Sequence, residues 1–129
     1  MSQKIVLTAL FLGALAIILG AFGAHALKKF LSVEQLSSFE TGVRYQMYHV
    51  LFLLFVAQTN NITEKQKTIV FLMTLFGILL FSGSIYLLAT STYTNIKTKL
   101  LGPITPLGGL LLILSWIYLF CCIMFKKEI

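Results

Sequence analysis

Four long apolar segments divide the chain, and short polar stretches separate them. Each segment approaches the roughly 20 residues that cross the hydrocarbon core of a bilayer. No water is present there to bond the backbone, so segments of this length satisfy their own N–H and C=O groups as helices. The sequence therefore predicts an all-α, polytopic membrane protein, a four-transmembrane-helix bundle. Residues 1–129 form a single transmembrane domain with helices at about 5–27, 33–58, 67–90 and 106–125.

The composition excludes most other classes of protein. Of the 129 residues, 58% are hydrophobic and 11% are charged, whereas an ordinary soluble domain has about 25% charged residues. Too few polar side chains remain to cover a water-soluble core, and the same figures exclude a disordered chain and a disulfide-stabilised secreted module. The net charge of +6 comes from lysines that anchor helix ends at lipid headgroups, so membrane lipids are expected partners and nucleic acid is not.

Lysines near the helix ends determine the orientation of the chain in the membrane. With an even number of spans, both termini lie on one side, together with the link between the second and third helices. That side holds five lysines, at positions 4, 65, 67, 126 and 127, and the other side holds four, at positions 28, 29, 97 and 99. The narrow excess predicts that both termini are cytoplasmic.

Small residues recur at helical spacing and predict close contacts between helices. In the first helix they follow spacings of three and four residues, which keeps them on one face where another backbone can approach. The glycines assigned to helix packing are Gly13, Gly20, Gly23, Gly77, Gly108 and Gly109. Because these stripes offer more packing surface than four helices need, we also predict that the protein forms a homo-oligomer.

The second helix carries the most informative polar side chains. At 100° per residue they share one half of the helix surface, and apolar residues occupy the other half. Glu40 and Arg44 stand four residues apart, in the order that favours an ion pair. His49 lies near the middle of the apolar stretch, too deep to reach the headgroups, so its imidazole must be neutral or hydrogen-bonded within the bundle.

Polar residues of three helices predict a pocket that opens on the side of Lys28, with His49 at its floor. The other candidate binding residues are His25, Arg44, Tyr45, Ser84 and Tyr86. Either these groups satisfy one another in a closed network, or they line a cavity that accepts a polar headgroup or solute. His25 stands about nine residues, or roughly 13 Å, farther from the centre of its span than His49, so we predict no metal site and no cofactor.

Three classes of function remain open. The first is a small membrane scaffold or binder with a polar pocket in the extracytoplasmic half, whose small-molecule ligand the sequence does not identify. The second is a lipid or small-solute transporter or binding protein. The third is a haem, metal or quinone-linked redox protein that uses His25 and His49. No nucleophile stands beside a base, and no carboxylates are paired for acid–base work, so no catalytic residue is assigned and an enzyme is not expected.

Four ordered motifs resemble those of domain-of-unknown-function family 423, small four-helix inner-membrane proteins of bacteria with a mitochondrial relative. The motifs lie at 20–25 (Gly-Ala-Phe-Gly-Ala-His), 41–49 (Thr-Gly-Val-Arg-Tyr-Gln-Met-Tyr-His), 81–88 (Phe-Ser-Gly-Ser-Ile-Tyr-Leu-Leu) and 102–109 (Gly-Pro-Ile-Thr-Pro-Leu-Gly-Gly). The resemblance covers nearly the whole chain and implies a bacterial plasma-membrane protein with cytoplasmic ends. It brings no established activity or cofactor, and some members have an acidic residue at the position of Arg44.

We predict that cysteines placed at positions 2 and 128 are shielded from an impermeant maleimide in intact cells, because both termini are cytoplasmic. Cys121 and Cys122 are first replaced by serine, so that only the new thiols react. Labelling after the membrane has been permeabilised provides the positive control. Labelling of both positions in intact cells would reverse the predicted orientation.

Overall fold

A computed structural model describes residues 1–94 and 98–126, and every regular element in those ranges is helical. The elements are α1 (Ser2–His25), a 3-10 turn (Leu27–Lys29), α2 (Val33–Gln58), α3 (Glu64–Ile78), a π-helical segment (Leu79–Gly83), α4 (Ser84–Ala89), α5 (Ser91–Thr94), α6 (Thr98–Leu101) and α7 (Ile104–Met124). Lys97, Lys127 and position 128, which enter the orientation argument, lie outside the described residues.

Within residues 1–94 and 98–126, three helical stretches are long and apolar enough to cross a membrane. They are Ser2–Gly23, Glu64–Ala89 and Thr98–Met124, with mean hydropathies of 2.7, 2.2 and 2.3. The remaining long helix, α2, has 26 residues, but charged and polar side chains occupy much of its first half. The chain is therefore an all-α, multi-pass membrane protein.

The two central helices begin at capping boxes. The Ser32 hydroxyl accepts the backbone N–H of Gln35, and the Gln35 side chain accepts the backbone N–H of Ser32. Thr63 and Gln66 make the same reciprocal bonds at the start of α3. Each box satisfies backbone donors that have no partner within the helix, so the chain reverses direction at defined positions.

The α1–α2 contact uses the small-residue stripe of α1. The facing pairs are Gly13 with Val50, Gly20 with Val43 and Gly23 with Phe39. As the α1 number rises the α2 number falls, so the two helices are antiparallel. The stripe is therefore covered by α2 of the same chain. The predicted homo-oligomer loses part of its sequence argument and stays a prediction.

The closest backbone approach joins α7 to the π-helical segment. A Cβ atom on Gly108 would collide with the backbone nitrogen of Phe81, and one on Gly77 would lie 2.6 Å from Cδ2 of Leu112. Only residues without a side chain allow helices to come this close. A Cβ on Gly109, by contrast, would lie 3.5 Å from the Phe81 ring, which is ordinary contact.

The π-helical segment interrupts the stretch Glu64–Ala89, where the sequence predicted a continuous α-helix as the third of its four segments; this stretch is called the third span below. A π turn adds one residue to the helical repeat and rotates every side chain that follows it. Within this segment, the Ser82 hydroxyl donates to the carbonyl of Gly42 in α2 at 2.8 Å. A Cβ on Gly42 would lie 2.7 Å from the Tyr86 ring, so α2 is also in tight contact with α4, the helix that follows the π-helical segment.

Lys67 is buried at the opposite end of the molecule, with only 5% of the residue exposed. Its ammonium donates to the carbonyl of Ala57 at 3.1 Å and to the hydroxyl of Ser2 at 3.0 Å. The carbonyls at the end of α2 carry partial negative charge, which a cation stabilises. The interpretation of Lys67 as a headgroup anchor is therefore wrong, because its charge caps α2 inside the protein.

We expect Gly108→Ala to lower the free energy of unfolding by about 3 kcal/mol, because the new methyl group meets backbone that cannot rotate away. Gly109→Ala is the matched control and is expected to change it by less than about 0.5 kcal/mol. The measurement is a denaturant or thermal titration of each variant in the same detergent. Equal effects of the two substitutions would refute the proposed backbone contact.

Candidate functional site

His49 and Trp116 join α2 to α7 near the middle of the molecule. His49 is buried, with 4% of the residue exposed. The indole Nε1 of Trp116 donates to Nε2 of His49 at 2.9 Å. The indole also stacks on Phe52 with 4.3 Å between the ring centroids. This contact connects residues that are 67 positions apart in the sequence.

The partners of His49 determine its tautomer. An indole N–H can only donate, so Nε2 must carry a lone pair. Nδ1 lies 2.7 Å from the carbonyl of Tyr45, which can only accept, so Nδ1 carries the proton. The imidazole is therefore neutral and both of its nitrogens are satisfied. Protonation or metal ligation at Nε2 would require the bond from Trp116 to break.

A cleft of about 430 Å³ lies beside this pair, between α2, the π-helical segment and α7. Its lining residues are Thr41, Tyr45, His49, Phe81, Gly109, Leu112, Ile113 and Trp116. Thr41, Tyr45 and His49 follow one another at four-residue spacing along α2, which gives the cleft one polar edge. The rest of the lining is apolar or aromatic. The arrangement suits a molecule with an apolar body and a polar end.

Gln46 organises a second polar cluster on a different face of α2. Its Nε2 donates to the carbonyl of Leu12 in α1 at 2.7 Å, and its Oε1 accepts the Tyr86 hydroxyl at 2.6 Å. These bonds connect three helices through one buried amide. In hydrocarbon such bonds leave no unsatisfied group, so this cluster stabilises the fold and does not form an open pocket.

The structure brings two of the six predicted pocket residues, Tyr45 and His49, to the same cleft. Tyr86 belongs to the Gln46 cluster, and the Ser84 hydroxyl lies 2.5 Å from that of Thr105 in α7. His25 is exposed at the end of α1. The side chains of His25, Ser84 and Tyr86 thus have other neighbours and do not line the cleft with Tyr45 and His49.

Arg44 lies beside the polar edge of the cleft. Its guanidinium donates to the Thr41 hydroxyl at 3.1 Å. Among the described residues the one ion pair joins the terminal amine of Met1 to Glu64, so the predicted Glu40–Arg44 pair does not form. Both side chains are exposed, and such pairs add little stability, so the local bond to Thr41 is the alternative that this helix adopts.

No described contact joins His25 to His49, and no group of three metal-binding side chains occurs in the part of the chain that is described. Nothing in the arrangement favours haem or metal ligation by this pair over the hydrogen bonds that His49 makes.

The sequence analysis singled out neither Gln46 nor Trp116, although both make hydrogen bonds between helices. Gln46 stands between two residues that the sequence did single out, but an amide carries no charge to attract notice. A polar side chain on the apolar half of α2 was the available signal. The role of Trp116 had no local signal, since it depends on how α7 is placed beside α2.

A family model described as "Protein of unknown function (DUF423)" matches residues 19–109. This range includes α2, the third span and the start of α7, and thus most of the cleft. The chain belongs to the DUF423 family. The resemblance of the four motifs to family 423 is thereby confirmed.

Relatives of this DUF423 chain occur in diverse bacteria. A UPF0382 membrane protein of Staphylococcus saprophyticus is 41% identical over 114 residues, which cover 85% of this chain and 91% of the relative. One from Bacillus subtilis is 43% identical over 106 residues, covering 80% and 81%, and one from Haemophilus influenzae is 39% identical over 107 residues, covering 83% and 82%. No solved structure matches the chain.

We predict that Trp116→Phe and His49→Leu are energetically coupled in this DUF423 protein. Trp116→Phe leaves the buried Nε2 of His49 without its hydrogen-bond donor, whereas His49→Leu removes the nitrogen that requires a donor. The double variant should therefore be about 1 kcal/mol more stable than the sum of the single effects predicts. Unfolding titrations of the four proteins in one detergent measure this coupling. Additive effects would show that the hydrogen bond contributes nothing.

Proposed function

We propose that this protein is a small, non-enzymatic binding protein of the bacterial plasma membrane, and that it holds a membrane-soluble ligand in the cleft between α2 and α7. The observation that carries the proposal is the cleft itself, which combines a polar edge on α2 with apolar walls. The ligand would enter sideways from the bilayer, with its polar end beside Thr41 and Tyr45.

The exposure of the cleft residues supports lateral entry. Tyr45, Ile113 and Trp116 are 41%, 56% and 50% exposed, although they lie in the central parts of their helices. In a membrane this surface faces lipid tails, so a ligand dissolved in the bilayer reaches it without crossing water. The Gln46 cluster lies on another face of α2 and stays closed, which separates stabilising polar groups from the open site.

Placing the cleft in the extracytoplasmic half requires all four long helices to span the membrane. In this topology α2 is the second span, and its charged first half lies in the interface opposite the termini. With the termini in the cytoplasm, Thr41 and Arg44 then belong to the outer half. α2 makes close contacts with α1 and α3, and these contacts cover much of its surface inside the protein. This packing supports α2 as a span.

The test compares two bulky substitutions on α7. Ile113 lines the cleft, whereas Ile117, one turn further along, is 52% exposed and lies outside it. We expect Ile113→Trp to fill the cleft and displace the ligand, and Ile117→Trp to leave binding unchanged. Native mass spectrometry of protein purified gently from its own membranes measures the mass of retained small molecules.

The parent and Ile117→Trp are expected to retain about one bound molecule per chain. The amount that Ile113→Trp retains is expected to be at least tenfold lower. Thermal stability in the same detergent serves as the folding control for all three proteins. The proposal fails if the parent retains nothing, or if Ile113→Trp retains as much as Ile117→Trp.

A further inference from the structure

We propose that the ligand of the cleft is an anionic phospholipid, whose phosphate binds Arg44 and whose acyl chain follows the groove between α2 and α7. This inference rests on the proposed function and names its ligand class. Three observations support it: a guanidinium at the polar edge that has no ion-pair partner among the described residues, a tyrosine hydroxyl beside it without a hydrogen bond in the same ranges, and a second apolar cleft that continues the first.

The guanidinium of Arg44 is positioned for an anion. It donates to the hydroxyl of Thr41, a residue of the cleft lining, so its charge lies at the cleft's polar edge. It makes no ion pair with a carboxylate among the described residues. Guanidinium carries five N–H donors in a planar fork that matches the oxygens of a phosphate. Most of these donors are free of protein partners here, so a phosphate would complete their bonding.

Tyr45 supplies a second donor one turn of α2 deeper than Thr41. Its ring is fixed by edge-on contacts with Phe81 and Tyr48, at centroid distances of 5.2 and 5.5 Å. Its hydroxyl has no hydrogen-bond partner among the described residues, although the ring lines the cleft. A phenol in hydrocarbon gains from a polar partner, and a headgroup oxygen provides one.

A second cleft of about 400 Å³ extends the first along the same two helices. It is lined by Tyr48, Leu51, Phe52, Phe55, Trp116, Leu119, Phe120 and Ile123. Trp116 lines both clefts, so its indole marks the boundary between them. α2 and α7 run parallel here, because the lining residues of both helices increase in number from the first cleft to the second.

The length of the combined groove suits an acyl chain. Thr41 and Phe55 are separated by fourteen residues, about 21 Å along a helix at 1.5 Å per residue. One leaflet contributes about 15 Å of hydrocarbon to the roughly 30 Å core. A chain that starts at a headgroup near Arg44 therefore reaches past Trp116 into the second cleft. A small polar solute would leave these apolar walls unfilled.

Two kinds of positively charged side chain lie on this side of the molecule: lysines outside the cleft, and Arg44, which contacts the cleft lining. Lys28 and Lys29 follow α1 on the same side as Arg44, but neither lines the cleft. Such lysines attract any anionic membrane surface without selecting a bound molecule. Arg44 differs because it bonds to the cleft lining. This difference makes Lys29→Gln the matched control for Arg44→Gln.

The experiment titrates detergent-solubilised protein with phosphatidylglycerol and with phosphatidylcholine of identical acyl chains, and counts bound lipid by native mass spectrometry. We expect the parent to prefer phosphatidylglycerol by about tenfold, because the quaternary ammonium of choline neutralises the headgroup and repels the Arg44 guanidinium, whereas glycerol does neither. Arg44→Gln should abolish the preference, and Lys29→Gln should keep it within about twofold. Ile113→Trp should bind neither lipid tightly.

Each alternative result has a separate meaning. Equal losses in Arg44→Gln and Lys29→Gln would reduce the preference to general surface charge and overturn the assignment of Arg44. Lipid binding that depends on Ile113 but shows no headgroup preference would overturn this inference and leave the proposed function standing. No retained lipid and no other retained molecule would overturn both.

Discussion

A polar group inside a membrane finds no water, and this constraint organises the whole molecule. His49 meets it by donating from Nδ1 to the backbone of its own helix and accepting at Nε2 from Trp116. Gln46 meets it with bonds to α1 and to Tyr86. Because α2 carries both residues on different faces, it is tied to each of its neighbours by polar groups that would be costly to leave unpaired. Thr74 is the exception among the described residues, a buried hydroxyl without a bond.

Close backbone contact between α7 and the π-helical segment positions the helices so that these hydrogen bonds can form. Gly108 lets α7 lie directly against the π-helical segment, and Trp116 follows about two turns later on α7. The position of α7 at Gly108 therefore determines where the indole meets His49. The same geometry keeps α7 beside α3 and leaves a groove between α2 and α7, which the hydrogen bond from Trp116 to His49 crosses. The cleft is thus a consequence of packing two helices tightly on the third span.

Much of the fold could be predicted from the sequence, and less of the site. Hydropathy and segment length identify the all-α membrane class, and Ser32 with Gln35 predicts how α2 begins, because these signals are local. Tyr45 and His49 follow from helical periodicity on one element. The π turn could not be predicted, since the backbone that it packs against, at Gly108, lies on a distant helix. The pairing of Ser84 with Thr105 and the contact of Trp116 with His49 depend on where α7 lies. The bond of Tyr86 to Gln46 depends on how α4 packs against α2.

The neutral, Nδ1-protonated state of His49 is the most direct consequence of this account, since it requires Trp116 to donate across the α2–α7 groove. Nitrogen-15 NMR of histidine-labelled protein in lipid bilayers measures that state, and the chain's two histidines give separate signals. The account predicts one neutral, Nδ1-protonated imidazole whose Nε2 signal shifts in Trp116→Phe, while the His25 signal stays unchanged. A charged or Nε2-protonated His49, or a spectrum unaffected by that substitution, would contradict it.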